Sequence, residues 1–95
     1  MVKVIIGPQV KAFCQTLAPE PRSRVKRALA ELARGRGDIA ALEKNLEGLY
    51  RLRVGRFRII FFYAGGNIRC FYIAPRDLVY DVLSSHLTAW FNKDA

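Results

Sequence analysis

The sequence lacks the residue groups from which most catalytic centres are built. It has one histidine, His86, and two cysteines, Cys14 and Cys70, without a CxxC spacing. It contains no Ser/His/Asp set, no supported pair of carboxylates and no glycine-rich loop followed by lysine. We therefore expect no metal and no cofactor, two buried free thiols, and a histidine exposed on the outer part of the last helix.

Long apolar runs are also missing. No stretch approaches the roughly 20 residues that a membrane-spanning helix needs, and the apolar run near the N-terminus is too short for a signal peptide. Repeats, linkers and low-complexity segments are absent from the sequence. With 52% hydrophobic residues, the chain is predicted to form one domain, residues 1–95, in the cytoplasm and without a membrane partner.

Acidic residues are scarce. Eight Asp and Glu stand against sixteen Lys and Arg, which leaves a net charge of +8, and eleven of the basic residues are arginine. The planar guanidinium of arginine forms bidentate hydrogen bonds with phosphate and stacks on bases. This composition favours nucleic acid or an acidic protein as the partner, although a basic surface can also serve solubility alone.

The first half of the chain predicts one strand and two helices. A β-branched strand covers residues 2–6, and apolar residues then recur at helical spacing over 10–17 and over about 22–34. Residues 18–21 contain two prolines and are predicted to separate the helices. A helical turn is predicted over 38–42, capped by its first residue, an aspartate.

The second half predicts three antiparallel strands. Residues 49–54 alternate apolar side chains with arginine, which is the two-residue period of a strand, and residues 57–63 are dense in aromatic and β-branched residues. Gly55 and Arg56 between them suit a two-residue turn with positive φ at its first position. Another turn and a strand over 68–74 complete the sheet.

The alternation divides this sheet into two faces. One face is predicted to pack beneath the two helices. Its members are Tyr50, Leu52, Val54, Phe57, Ile59, Phe61, Tyr63, Ile68, Cys70, Tyr72 and Ala74. The other face carries arginines at one end and, at its apolar end, Ile60, Phe62, Phe71 and Ile73. We predict an α+β fold with an antiparallel β-sheet in β-α-α-β-β-β order, a helical hairpin on one face and a C-terminal helix on the other. The residues of that helix predicted to cover the apolar end are Leu83, Leu87, Trp90 and Phe91.

The arginines of the predicted hairpin form the first candidate site. The two-residue turn places Arg53 directly opposite Arg58, with Arg51 on the same face. Like charges that face each other across a sheet are destabilising, and the closest acids along the chain are Glu43 and Glu47. An anion that bridges the arginines would explain them, so we predict a phosphate-binding site. The alternative is an ordinary solvated polar face.

A second candidate follows the last predicted strand. Pro75 stops the hydrogen-bond ladder because it lacks a donor, and Arg76 comes where the chain leaves the sheet. Tyr80 lies four residues further on, at helical spacing from Arg76. By itself this pair is weak evidence, since it could be an ordinary cap at a strand end, but it strengthens the prediction made from the hairpin arginines.

Together these residues resemble the RelE/ParE superfamily of bacterial and archaeal toxins. The resemblance runs from Val2 to about Leu83 and is most specific over residues 46–61. The matching positions are Leu46, Gly48, Arg51, Arg53, Gly55, Phe57, Arg58, Ile59, Ile60, Phe61, Arg76 and Tyr80. The resemblance implies a RelE-like fold and, for the RelE branch, a ribosome-dependent endoribonuclease that enters the A site and cleaves the mRNA there.

For such a toxin the resemblance implies metal-free chemistry. The 2′-OH of the RNA attacks the adjacent phosphate and leaves a cyclic phosphate and a 5′-OH. Arg51, Arg53 and Arg58 would orient and stabilise the phosphorane, Arg76 would sit near the scissile phosphate, and Tyr80 would stack on a base or assist proton transfer. The candidate RNA-binding residues are Arg51, Arg53, Arg56 and Arg58.

Two departures from the family pattern leave alternatives open. Relatives often carry lysine where this chain has Arg51 and Arg53, and a guanidinium cannot readily give up a proton. Many relatives also carry a histidine where this chain has Pro75.

One alternative to the ribonuclease is a ParE-like poison of DNA gyrase on the same fold, although ParE members generally lack the complete set of basic and tyrosine positions. The other is a module that binds RNA or the ribosome without cleavage.

The resemblance also implies partners. A small acidic antitoxin, often a ribbon-helix-helix or other DNA-binding protein, would neutralise the toxin, and its helix would displace or cover the apolar C-terminal helix. The alternative for that helix is ordinary core packing. The substrate would be mRNA on the ribosome, with further contacts to rRNA. Operator DNA would be contacted only through the toxin–antitoxin complex.

Overall fold

The computed structural model describes residues 2–43 and 46–79, so the predicted C-terminal helix, Tyr80 and His86 lie outside the described residues. The elements within this part are β1 (Val4–Ile6), α1 (Pro8–Thr16), α2 (Pro19–Leu32), β2 (Asp38–Ala41), β3 (Tyr50–Val54), β4 (Phe57–Ala64) and β5 (Asn67–Pro75). The strands form one sheet in the order β1-β5-β4-β3-β2. Neither of the described helices is long and apolar enough to cross a membrane.

The α+β class and the helical hairpin are confirmed, but the sheet is mixed rather than antiparallel. β1 pairs in parallel with β5, with Val4 beside Ile68 and Ile6 beside Cys70. The other neighbouring strands, β5-β4, β4-β3 and β3-β2, pair antiparallel as predicted for the meander. Because helices and strands separate β1 from β5 along the chain, no tight turn forces these two into antiparallel pairing.

The second helix begins at Pro19, earlier than the start near Arg22 predicted from the prolines. A proline in the first helical turn loses no intrahelical hydrogen bond, because the first N–H groups of a helix have no partner within it. The side chain of Arg22 instead caps the C-terminal end of α1. Its guanidinium donates to the carbonyl oxygens of Cys14 at 3.2 Å, Gln15 at 3.3 Å and Leu17 at 2.8 Å.

After α2 the chain forms an edge strand, so the predicted helical turn capped by Asp38 is wrong. β2 pairs antiparallel with β3, and Asp38 lies opposite Arg53. Gly37 allows the strand to enter here, because its φ is 133° and a Cβ atom would lie 2.7 Å from a methyl group of Leu52. Pairing with β3 therefore outweighs the local tendency of aspartate to cap a helix.

The side of the sheet that faces the helices forms the main core. Val10 of α1 and Val25 and Leu32 of α2 are fully buried against it. The buried sheet residues of this core are Leu52, Val54, Phe57, Ile59, Phe61, Ile68, Cys70 and Ile73. The prediction that the helical hairpin packs on this face is confirmed, although Tyr63 at its end stays 54% exposed.

A bulge in β5 reverses the predicted faces beyond Cys70. Two consecutive residues of β4 pair with Tyr72 and then with Cys70, so Phe71 is an extra residue in β5. Since strand side chains alternate between faces, one extra residue moves every later side chain to the opposite face. Ile73 therefore lies in the main core, whereas Tyr72 and Ala74, predicted for that core, belong to the smaller cluster on the other face.

Gln9 of α1 holds the bulged part of β5 in place. Its side-chain amide donates to the Ile73 carbonyl and accepts from the Ile73 N–H, both at 2.8 Å. Just before this point, the N–H of Gly7 donates to the carbonyl of Cys70 at 2.8 Å. A side chain thus continues the hydrogen bonding of β5 where β1 has already ended.

Substitution of Gln9 by leucine should destabilise the protein. It leaves the N–H and the carbonyl of Ile73 without their partner, which we expect to cost about 2 kcal/mol in the free energy of unfolding. Urea denaturation measures the change, with Gln15→Leu, at an exposed position of the same helix, as the control. If Gln9→Leu is as stable as the wild type, water replaces the amide, and the two hydrogen bonds between Gln9 and Ile73 are not needed for stability.

Candidate nucleic-acid interface

Four arginines from neighbouring segments line one open cleft beside the β3–β4 turn. We call it the turn cleft, and its volume is about 400 Å³. Its lining residues are Arg53, Gly55, Arg56, Arg58, Pro75, Arg76 and Asp77. Among the described residues, four arginines and one aspartate therefore line the cleft, and this excess of positive charge is suited to an anion.

The hairpin register is confirmed, and Arg53 lies directly opposite Arg58. The two arginines differ in their surroundings, since Arg53 is exposed and Arg58 is only 6% exposed. Arg58 Nη1 donates to the carbonyl oxygens of Gly55 at 2.9 Å and Phe57 at 3.0 Å. A buried guanidinium held by carbonyls keeps one position, so Arg58 supplies positive charge that is already oriented beside the turn.

Arg76 reaches the turn cleft because of the way β5 ends. Pro75 pairs with Phe57 at the start of β4, and the N–H of Arg76 donates to the carbonyl of Arg56 at 2.8 Å. This hydrogen bond joins the end of β5 to the turn. It uses only the main chain of Arg76, and the residue itself is exposed, so the guanidinium is available to a ligand.

Arg51 lies apart from the lining of the turn cleft. Its Nη1 contacts Asp38, at 3.3 Å from the carbonyl oxygen and 3.4 Å from Oδ1. Arg53 Nη1 lies 3.9 Å from the other carboxylate oxygen of Asp38. The sequence argument considered only Glu43 and Glu47, the closest acids along the chain, but β2 brings Asp38 alongside β3, so an acid does lie beside the hairpin arginines.

The structure thus assembles most of the predicted site and separates one member. The predicted residues that meet in the turn cleft are Arg53, Arg56, Arg58 and Arg76. Arg51 is directed instead to the edge strand β2. Tyr80 lies outside the described residues, so its place in the site stays a prediction.

A second cleft lies on the other side of the turn, against α2. We call it the α2 cleft, and its volume is also about 400 Å³. Its lining residues are Leu17, Glu20, Pro21, Arg24, Val54, Arg56 and Phe57. Arg56 therefore lines both clefts, and its guanidinium carbon lies 5.3 Å from the ring centre of Phe57, in cation–π contact. Sequence reasoning misses Arg24, because nothing in the pattern of α2 shows which turn this helix lies beside.

The thiols are poor nucleophiles. Both cysteines are free, as predicted, with Cys70 buried and Cys14 only partly so. Burial raises the pKa of Cys70 to about 12, and burial also raises the pKa of Cys14, against the opposing effect of the nearby Arg22 charge. Among the described residues, no group of three or more His, Cys, Asp or Glu is placed to hold a metal ion.

Alkylation should reveal how strongly Cys70 is protected. With a pKa of about 12 in place of 9.0, its thiolate fraction at pH 8 falls about a thousandfold, so native Cys70 should react far more slowly than in urea. Because the unfolded thiol loses its proton first, stability should also fall as the pH rises from about 9 towards 12. Cys70→Ala should reduce that fall, and the remainder comes from other groups whose pKa burial raises, Cys14 and Tyr72. Mass spectrometry after iodoacetamide treatment measures the rate at each cysteine. Equal rates for Cys70 in native and denatured protein would contradict this assignment.

Comparison with known proteins identifies the fold. No protein-family model and no curated protein sequence matches the chain. Among solved structures, it is similar to the toxin–antitoxin complex RelBE2 from Mycobacterium tuberculosis, with a TM-score of 0.69 and 16% identity over 79% of this chain and 98% of that one. It is also similar to the archaeal RelE–RelB complex from Pyrococcus horikoshii OT3, with a TM-score of 0.61 and 28% identity over 79% and 94%.

A third neighbour is the RelB–RelE antitoxin–toxin complex from Methanococcus jannaschii, with a TM-score of 0.64 and 24% identity. It covers 82% of this chain and 96% of that one. The neighbours thus agree with the mixed sheet and helical hairpin described above. The chain has the RelE/ParE-like toxin fold, and the resemblance expected from residues 46–61 is confirmed at the level of the fold.

Proposed function

We propose that this protein is the toxin of a type II toxin–antitoxin system and that it cleaves mRNA in the ribosomal A site. The observation that carries the proposal is the turn cleft, in which Arg53, Arg56, Arg58 and Arg76 converge on the RelE-like fold. Four guanidinium groups from different segments form a site for a phosphate with several negative oxygens. Arginine at such a site stabilises charge that develops during phosphoryl transfer.

In the proposed reaction the RNA supplies its own nucleophile. The oxygen of a 2′-OH attacks the adjacent phosphorus, the bond from phosphorus to the 5′-oxygen breaks, and the products are a cyclic phosphate and a 5′-OH. The buried Arg58 and the exposed Arg53 and Arg76 stabilise the phosphorane, which carries more negative charge than the starting phosphodiester. Guanidinium groups hold their protons, so proton transfer falls to another group, for which Tyr80 is the candidate.

A second function is favoured by one feature of the site. According to the resemblance, Pro75 stands where many relatives carry a histidine, and every basic residue among the described residues that line the turn cleft is an arginine. Such a site binds phosphate well and transfers protons poorly. A module that binds RNA or the ribosome without cleavage would have this composition. The gyrase poison shares the fold and has no specific observation in its favour.

The proposed partners follow from the same fold. A cognate antitoxin is proposed as the neutralising protein, since three neighbours are toxins solved with their antitoxins. The positive net charge of +8 suits an acidic antitoxin as well as RNA. Operator DNA would be reached through the antitoxin complex, and mRNA with its surrounding rRNA would be the substrate.

Inducible expression in bacteria, with pulse-labelling of protein and DNA synthesis, tests the proposal. The ribonuclease should lower protein synthesis first, and Arg76→Ala or Tyr80→Ala should relieve the effect. Arg69→Ala is the matched control, because Arg69 is exposed on β5 and lines neither cleft. An early loss of DNA synthesis that survives both substitutions would indicate gyrase. Well-expressed, soluble protein without toxicity would favour the binding module.

A further inference from the structure

The α2 cleft is not used by the proposed reaction, yet it adjoins the turn cleft. Arg56 lines both. Arg53 and Arg58 line the turn cleft, whereas Val54 and Phe57 line the α2 cleft, and because strand side chains alternate, the two clefts lie on opposite faces of the hairpin. Arg24 extends from α2 towards that turn, since its Nη1 would lie 3.4 Å from a Cβ atom on Gly55. A row of positive charge therefore passes from Arg76 and Arg53, across Arg56, to Arg24. Such a row is suited to a ligand with regularly spaced negative charges.

The α2 cleft also differs in character from the turn cleft. Its walls include Leu17, Pro21, Val54 and Phe57, which are apolar. Two arginines, Arg24 and Arg56, supply positive charge, and Glu20 is the one acid among the described residues that line this cleft. Apolar walls with planar guanidinium groups beside them accept a flat, partly apolar group that is joined to an anion. A nucleotide has this combination, because its base stacks and its phosphate is charged.

We propose that the α2 cleft binds a second nucleotide of the same single-stranded RNA, next to the nucleotide whose phosphate lies in the turn cleft. The phosphate of this second nucleotide is held by Arg24, and its base lies against the partly buried Leu17 and Pro21. The Arg56 guanidinium, which covers the buried Phe57 ring, lies beside the base. The RNA strand thus crosses the protein over the β3–β4 turn. This inference rests on the proposed function, since it takes RNA as the ligand of the turn cleft.

Glu20 regulates the availability of Arg24 in this arrangement. Its Oε1 lies 3.2 Å from Arg24 Nη2, and both side chains are largely exposed, at 83% and 54%. An exposed ion pair of this kind is weak, so a phosphate can take the place of the carboxylate. Removal of the Glu20 charge should then strengthen RNA binding, because it frees Arg24 and removes a repulsive group from the cleft.

The test uses a labelled hexanucleotide in which every 2′-OH is methylated, so that it cannot be cleaved. Fluorescence anisotropy gives its Kd at several salt concentrations. Arg24→Ala should weaken binding about fivefold to tenfold and lower the slope of log K against log salt by about 0.7, the value for one phosphate contact on a single strand. Glu20→Gln should tighten binding about twofold or more. Neither change should alter the melting temperature by more than a few degrees, because both residues are exposed.

Matched controls separate a local contact from net charge. Lys26 lies on the same helix, about 200° around its axis from Arg24, and it is exposed and lines neither cleft. Lys26→Ala should leave the salt slope unchanged. Glu31→Gln is the control for Glu20→Gln, since Glu31 pairs with Arg36 at 3.7 Å, away from the clefts. Equal effects of Arg24→Ala and Lys26→Ala would overturn the inference.

Two further measurements show which part of the inference is wrong if the expected result is not obtained. Arg53→Ala removes a charge of the turn cleft alone. If it weakens binding while Arg24→Ala does not, the inference is overturned and the proposed function stands. If neither substitution weakens binding, the hexanucleotide uses neither cleft and the inference is overturned, whereas the proposed function is decided separately by the expression experiment with Arg76→Ala. An abasic strand of the same length that binds as tightly as the hexanucleotide would overturn the assignment of a base to the apolar wall.

Discussion

In the proposed ribonuclease reaction, replacement of Arg76 by alanine should lower the rate of RNA cleavage by about 100-fold to 1,000-fold, the usual loss when one preorganised donor to a developing anion is removed. Arg76 lines the turn cleft with Arg53 and Arg58, and its side chain is exposed there. The substitution keeps the hydrogen bond that the main-chain N–H of Arg76 donates to the carbonyl oxygen of Arg56 at 2.8 Å. The loss should therefore come from the missing guanidinium and not from a changed end of β5.

Single-turnover cleavage of mRNA on purified ribosomes measures this effect. Arg69→Ala, with the same loss of charge on an exposed part of β5, should retain nearly the full rate. Arg76→Lys should fall between the two, because an ammonium group keeps the charge and loses the planar pair of donors. A rate for Arg76→Ala within a few-fold of that for Arg69→Ala would remove Arg76 from the proposed catalytic residues.

Replacement of Phe61 by alanine should destabilise the protein by about 3–5 kcal/mol, which is a large part of the total stability expected for a domain of this size. Phe61 is fully buried in the main core. Its ring stacks on Tyr50 at 5.6 Å and meets the edge of Tyr63 at 5.7 Å. It also pairs with Cys70 where the bulge of β5 begins. Loss of the ring therefore opens a cavity that neighbouring strands hold open.

Urea denaturation, monitored by far-UV circular dichroism, gives the change in the free energy of unfolding. Tyr63→Ala is the control, because Tyr63 belongs to the same aromatic cluster but is 54% exposed, so its removal leaves no closed cavity. We expect it to cost about 1 kcal/mol. If Phe61→Ala lowers the free energy of unfolding no more than Tyr63→Ala does, neighbouring side chains fill the cavity left by the ring. The aromatic cluster is then not rigid.

The hairpin that carries the site could be read from the sequence because its determinants are local. Gly55 has a φ of 58°, as the two-residue turn requires, and this turn sets Val54 opposite Phe57 and Arg53 opposite Arg58. The alternation of apolar residues with arginine then assigns each side chain to a face. The turn residues and the two-residue alternation act over a few neighbouring residues. The structure of the hairpin therefore does not depend on contacts with distant parts of the chain.

Apart from the start of α2, which depends on proline at a helix N-terminus, the errors concern contacts between distant segments. The strand β2 forms because β3 offers it a partner, and this brings Asp38 to Arg51 and Arg53. The bulge at Phe71 depends on β4 and on Gln9 from α1, which hydrogen-bonds to the strand just beyond it. No pattern within residues 67–75 distinguishes a regular strand from a bulged one. The two faces of β5 were therefore assigned correctly only as far as the bulge.

The sequence by itself determined the basic character of the protein, the arginine-bearing hairpin, its register and the resemblance to RelE-like toxins. These depend on composition and on neighbours in the chain. The tertiary structure decided which arginines share a cleft: it joined Arg76 to Arg53 and Arg58, turned Arg51 towards Asp38, and brought Arg24 beside the turn. The physical reason is that charge acts through space, and the distances between segments far apart in sequence are set by the packing of helices and strands on a common core.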